Sequence, residues 1–246
     1  MKSLIAVALL IAPAALVAQA VSPTIRTALA DPTRPAADTA RDAARKPGEF
    51  LAFAGVKPGD KVADFIMGGG YWTRILAGVV GPTGKVYAYQ PAEFIAFRAA
   101  YGTEQDAAVA GRANVVASRD SLRTAAFPEP LDAIVTVQNW HDLHLKMAPA
   151  GSGAAIAAHL HSLLKPGGVL IVADSAAAAG AGFTVADTLH RAEGAAVREE
   201  IESAGFTFEG ESAMWANPTD AKDKIVFDPA VRGKVDQFVY KFRKAK

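Results

Sequence analysis

The chain has 246 residues, no cysteine, 26 lysines and arginines against 25 aspartates and glutamates, and a formal charge of +1. That length suits one domain with a sizeable core, and the charge balance argues against a nucleic-acid partner gripped through a broad basic surface. The absence of cysteine excludes disulfides, iron–sulfur clusters, thiolate zinc sites and a cysteine nucleophile.

Lys2, an uncharged apolar run over 4–18 and the small-x-small triplet Ala18-Gln19-Ala20 predict an export signal cleaved after residue 20. The run is shorter than the roughly 20 residues of a spanning helix and contains Pro13, so no stable membrane anchor is expected. The mature protein would then be periplasmic or secreted. Residues 21–36, rich in Pro, Thr and Ala, read as an irregular leader before a single α/β domain over 37–246. Within that domain 37–56 is predicted helical. A strand–helix alternation follows: strand 61–67, helix 71–80, strand 85–89, helix 92–101, strand 114–117, strand 133–137, helix 154–164 and strand 169–173. This order predicts a Rossmann-like, seven-stranded, mostly parallel sheet with helices on both faces. Residues 175–184 read as a mobile Ala/Gly loop over the sheet edge. A helix over 193–204 and two strand-like segments, 206–215 and 237–242, complete the pattern, with the last two paired antiparallel. Lys241, Arg243, Lys244 and Lys246 read as a solvated tail.

The segment most informative about chemistry is Val62-Ala63-Asp64-Phe65-Ile66-Met67-Gly68-Gly69-Gly70-Tyr71-Trp72. A strand that ends in glycines and opens a helix lets the backbone approach a ligand closely and offers free N–H donors to it. The dinucleotide pattern G-x-G-x-x-G is not met, and no acidic residue follows the second strand, which disfavours a nicotinamide-dependent oxidoreductase.

Residues 51–91 resemble the first βαβ unit of class I S-adenosylmethionine-dependent methyltransferases, with Lys57-Pro58-Gly59-Asp60 leading into the glycine loop. Leu131-Asp132-Ala133-Ile134-Val135-Thr136-Val137 resembles the fourth strand of that superfamily, and Leu164-Lys165-Pro166-Gly167-Gly168-Val169-Leu170-Ile171-Val172 resembles the fifth. The resemblance covers about residues 45–242. Asn139-Trp140-His141-Asp142, Leu189-His190-Arg191 and the tail Phe227-Asp228-Pro229 with Asp236-Gln237-Phe238 further resemble an exported group of predicted methyltransferases.

The resemblance implies S-adenosyl-L-methionine as cofactor, held by Asp64, Gly68, Gly70, Gln90, Asp120, Gln138 and Asn139. Two positions depart from the superfamily pattern: Ile66 stands at the first glycine of D/E-x-G-x-G-x-G, and Gln90 at the acidic residue that binds the ribose. Gln90 retains an amide able to hydrogen-bond but lacks the charge-assisted acceptor. His141, just past the fourth strand where open α/β sheets place their crevice, is the candidate catalytic base; a structural histidine is the competing reading. Tyr71, Trp140, His190 and Arg191 are candidate substrate contacts, the two aromatics as a face for a sulfonium. A metal site on His141 and His144 would need a third ligand that the sequence does not single out, so none is assigned, and His159 and His161 read as exposed helix residues. The function expected is methyl transfer to a small-molecule or envelope substrate. A non-catalytic binding protein on a degenerate version of the fold is the alternative.

Overall fold

Strands buried on both faces read as continuous apolar runs, because each alternate side chain meets a helical layer. The protein, seen in a computed structural model that describes residues 20–246 apart from Glu129 and Met147, is built on four such strands and three more. They are β1 (Lys61–Phe65), β2 (Lys85–Tyr89), β3 (Val115–Ser118), β4 (Leu131–Val137), β5 (Leu164–Ser175), β6 (Phe206–Glu211) and β7 (Gln237–Lys244). They form one sheet in the order β3-β2-β1-β4-β5-β7-β6. β1 to β5 pair in parallel, while β7 runs antiparallel to both of its neighbours. The expected fold is therefore present, Rossmann-like and mostly parallel. The export signal read over 1–20 lies outside the described residues, Ala20 excepted.

The helices are α1 (Pro23–Leu29), α2 (Ala36–Thr39), α3 (Asp42–Arg45), α4 (Pro47–Ala54), α5 (Tyr71–Val80), α6 (Ala92–Phe97), α7 (Ala100–Val109), α8 (Ser152–Leu163), α9 (Ala186–Leu189) and α10 (Gly194–Ser203). Val62, Val86, Val135 and Ile171 face one way, against α1, α4 and α5. Ala63, Tyr87, Ile134, Leu170 and Val172 face the other, against α8 and α10. Among the described residues no helix is long and apolar enough to cross a membrane.

Several local expectations are corrected. Residues 21–36 are not irregular: Ser22 caps α1, whose Ile25 and Ala28 are buried. This helix crosses α5 at Gly78, where an added Cβ would lie 2.8 Å from that of Ala28. The single helix read over 37–56 is three short ones, because Lys46 adopts a left-handed conformation ahead of Pro47. The tail is not solvated throughout: Lys241 is buried and donates to the Phe53 carbonyl at 3.2 Å. The 175–184 loop is pinned, with Ala176 and Ala177 buried and the Gly180 and Gly182 amides donating to Glu193.

Candidate functional site

At the carboxyl end of β1 the chain takes left-handed conformations at Ile66 (φ 62°), Gly68 (φ 54°) and Gly70 (φ 77°). A β-branched residue rarely adopts such a φ, at a cost of about 1–2 kcal/mol. Ile66 is held there by its buried side chain and by Asn139, whose Nδ2 donates to its carbonyl at 2.9 Å. The glycines have different jobs. A Cβ at Gly68 would meet nothing within 4 Å, so a cradle is open beside it, whereas one at Gly70 would lie 2.5 Å from the Cβ of Ala108. Gly70 thus serves close packing of α5 against α7 and does not wall either cavity. Asp64 is fully buried and accepts from Thr73 Oγ1 at 2.6 Å, fixing the start of α5 to β1. Burial raises its carboxyl to about 6 against the pull of the Thr73 hydrogen bonds and of Arg74 and Arg45.

Two cavities meet at the ends of β1 and β4. The smaller, about 170 Å³, lies beside the glycine loop and is walled by Ile66, Gly68, Gly69, Tyr71 and Asp64. The larger is about 1140 Å³ and is mostly apolar, with Phe94, Phe97, Leu122, Leu145, Ile156 and Phe227 among its walls. Arg41, Arg45, Val137, Gln138 and Asn139 line both. Gln138, itself at φ 63°, donates from Nε2 to Gln237 at 3.2 Å.

The sequence reading missed the arginines. Arg34 pairs with Asp42, and Arg41 and Arg74 share Asp38. Among the described residues the guanidinium of Arg45 has one hydrogen-bond contact, 3.4 Å to Gln138 Oε1, and burial and the nearby charge of Arg41 lower its pKa. It is a cation facing both cavities with weak local neutralisation. The i, i+4 spacing of Arg41 and Arg45 was a visible signal, but only the docking of α3 over the loop gives it meaning. Tyr71 donates to Asp42 at 2.7 Å and carries Arg41 and Arg45 over its ring, each 4.9 Å from the centroid. Its face is thus already occupied by cations.

On the wall of the large cavity His141 opens a 3-10 turn (His141–His144). Its backbone N–H donates to Asp174 at 2.8 Å, and its Nδ1 lies 2.9 and 3.0 Å from the two oxygens of the same carboxylate. Asp174 is fully buried at the end of β5. Nε2 faces His190 Nδ1 at 3.2 Å and Asp142 Oδ1 at 3.3 Å. Burial alone would lower the imidazole pKa. The charge and hydrogen bond of Asp174, with Asp142 beside them, outweigh it and hold the group at about 9. His141 thus lies on the cavity wall where the sequence reading put it, with its ring engaged by Asp174 and Asp142. Burial, then the charge of His141, lower His190. Burial raises Asp142 to about 6 against the charge of His141.

Other expected contacts stand elsewhere. Trp140 is buried in the core and donates to Glu200 at 2.9 Å. Arg191 is fully buried in a bidentate pair with Asp220, at 2.7 and 3.3 Å, and also donates to the carbonyls of Ala176 and Lys224. Asp120 is exposed and tied to Ser118 at 3.1 Å. None of the three is among the residues walling the cavities. Gln90 does not wall them either: it is fully buried, and its Oε1 accepts from the Gly68 amide at 2.9 Å. Its Nε2 is a buried donor with no partner among the described residues. His144, weighed with His141 as a metal ligand, instead stacks on Phe183 and contacts Glu200 at 3.1 Å.

No protein-family model and no curated protein matches the chain. Solved structures do. A SAM-dependent methyltransferase from Aquifex aeolicus aligns with a TM-score of 0.59 at 20% identity, over 89% of this chain and 96% of its own. The N-methyltransferase NodS of Bradyrhizobium japonicum aligns at 0.55 and 12% identity, over 87% and 99%. CrArsM, an arsenic(III) S-adenosylmethionine methyltransferase from Chlamydomonas reinhardtii, aligns at 0.53 and 15% identity, over 91% and 74%. At such identities the likeness is one of architecture: the chain has the class I methyltransferase fold.

Proposed function

We propose that the protein is an S-adenosylmethionine-dependent methyltransferase, with the cofactor along the glycine loop and the methyl acceptor in the large apolar cavity. The observation that carries this reading is the pair of adjoining cavities at the ends of β1 and β4, which share five wall residues and of which one is walled by the loop. The residues fit the cofactor in two respects. The volume beside Gly68 is open, and the Gly68–Gly69 backbone and Arg45 wall the smaller cavity together. Arg45 supplies a cation for the carboxylate of the cofactor's amino-acid part. Asn139 and Gln90 hold the loop itself, through the Ile66 carbonyl and the Gly68 amide. When bound, S-adenosylmethionine supplies an electrophilic methyl group. The protein's part is to orient the acceptor and exclude water from it, and Phe94, Leu122, Ile156 and Phe227 make that wall apolar. Those walls favour an acceptor with a substantial apolar body. The export signal read over 1–20 supports action outside the cytoplasm, on a small-molecule or envelope substrate.

A second reading is a binding protein that has lost the cofactor. It is favoured by Gln90, which is committed to the loop and brings no carboxylate to the ribose. Calorimetric titration with S-adenosylhomocysteine separates the two. Parent protein should bind, and Gly68→Val should not, since its side chain fills the open cradle. Because φ at Gly68 is 54°, circular dichroism and a melting curve must show that the variant is folded; Arg45→Met, which keeps the backbone, should weaken binding as well. Absence of binding to the parent at millimolar ligand would favour the second reading.

A further inference from the structure

The wall of the large cavity holds a second constellation that methyl transfer as such does not require. His141 Nε2, His190 Nδ1 and Asp142 Oδ1 lie within 4.8 Å of one another, with His141 Nε2 at 3.2 Å from the second nitrogen and 3.3 Å from the oxygen. A tetrahedral zinc ion with ligand bonds of about 2.0–2.1 Å sets its ligand atoms about 3.3 Å apart. We propose that His141, His190 and Asp142 form a binding site for one zinc-like divalent cation, with a fourth coordination position open to the cavity.

Three features outside the ligand atoms point the same way. The first is the outer shell. A metal-bound imidazole characteristically donates its other ring N–H to a carboxylate, which fixes the tautomer and aims the free nitrogen. His141 does this to Asp174, which is fully buried and receives both the ring and the backbone N–H. The second is backbone geometry. His190 sits at φ 52°, an unusual conformation for a non-glycine residue that persists where the surroundings impose it. Here it follows α9 and puts the second ring opposite the first, at 84° between planes. The third is access. All three ligand residues line the 1140 Å³ cavity, so an ion there would have three protein ligands and room for one exchangeable ligand, the arrangement of catalytic rather than structural zinc. Charge is compatible too: two carboxylates, Asp142 and Asp174, flank the position.

The site does not rest on the cofactor reading, and its test is a binding measurement that needs neither cofactor nor turnover. Untagged protein without a polyhistidine sequence is stripped with chelator and titrated with Zn²⁺ alone, by calorimetry and by metal analysis after gel filtration. One equivalent per chain is expected, with proton release detectable as a dependence of the heat on buffer. Co²⁺ should give the intense visible absorption of a four-coordinate site. His141→Ala and His190→Asn should each abolish the equivalent; Asn tolerates the left-handed conformation, so the second variant protects against simple misfolding. Asp174→Asn should weaken binding about 10–100-fold, the usual effect of removing an outer-shell partner. His161→Ala, on α8 and outside the cluster, should bind as the parent does. Failure of the parent to retain an equivalent, or an equivalent that survives in folded His141→Ala/His190→Asn protein, overturns the proposal.

Discussion

Asp64 lets the electrostatics of the glycine loop be tested without any ligand. Its carboxyl is fully buried and raised from 3.8 to about 6, a shift of about two units at about 1.4 kcal/mol each, or about 3 kcal/mol. The unfolded chain ionises Asp64 near pH 4 and the folded protein only near 6. Folding is therefore disfavoured by that amount once both forms are ionised, and the penalty grows as pH rises from about 4 through 6. Asp64→Asn removes the charge and keeps the fit. Its amide can donate to Thr73 Oγ1 in place of the bond that the hydroxyl now donates, and its carbonyl can accept the Thr73 backbone N–H. Urea denaturation of both proteins at a series of pH values should show the stability of Asp64→Asn relative to the parent rising by about 2–3 kcal/mol from pH 4 to pH 8. Most of the rise should fall below about pH 7. A difference that is flat with pH would mean Asp64 is solvated or paired in solution, and the description of the loop as anchored through a buried carboxylate would fail.

Two further outcomes follow from packing and pairing. Gly78→Leu should push α1 off α5, because even a Cβ there meets Ala28 at 2.8 Å; a loss of about 1–3 kcal/mol is expected, with faster proteolysis within residues 22–35 as the readout. Arg191→Met should destabilise by about 3–5 kcal/mol in chemical denaturation, since it leaves Asp220 buried without its cation, yet leave ligand binding to the folded fraction unchanged, because Arg191 does not wall the cavities.

Much of the fold was legible because parallel strands sandwiched between helices must be apolar on both faces, and β1, β2, β4 and β5 say so in their sequences. The turn residues between them set α5 and β2 at their observed bounds, Tyr71–Val80 and Lys85–Tyr89. The segments that misled are those whose state depends on a distant partner. Residues 23–29 follow the cap pair Ser22-Pro23 but make too short a helix to declare itself, and are held by the groove that Gly78 opens on α5. The Ala/Gly loop after β5 looked free, yet Glu193 fixes it through two glycine amides.

The candidate site divides in the same way. The sequence alone located the glycine turn beside which a cavity opens, because glycines at a strand–helix junction have a purely local meaning, and it placed Gln138, Asn139 and His141 at the end of β4. What the sequence could not determine was direction. Gln90, Trp140 and Arg191 are the residue types expected near a ligand, but side-chain orientation is set by which neighbour satisfies each buried polar group. Here Gly68, Glu200 and Asp220 do so, turning those three away from the cavities. The reverse holds for Arg45, which the sequence reading passed over and which the structure turns to both cavities. Nothing in the local sequence joins Asp142 to His190, and they meet only because the turn after α9 folds back over the ends of β4 and β5, where the buried Asp174 fixes the imidazole that they flank.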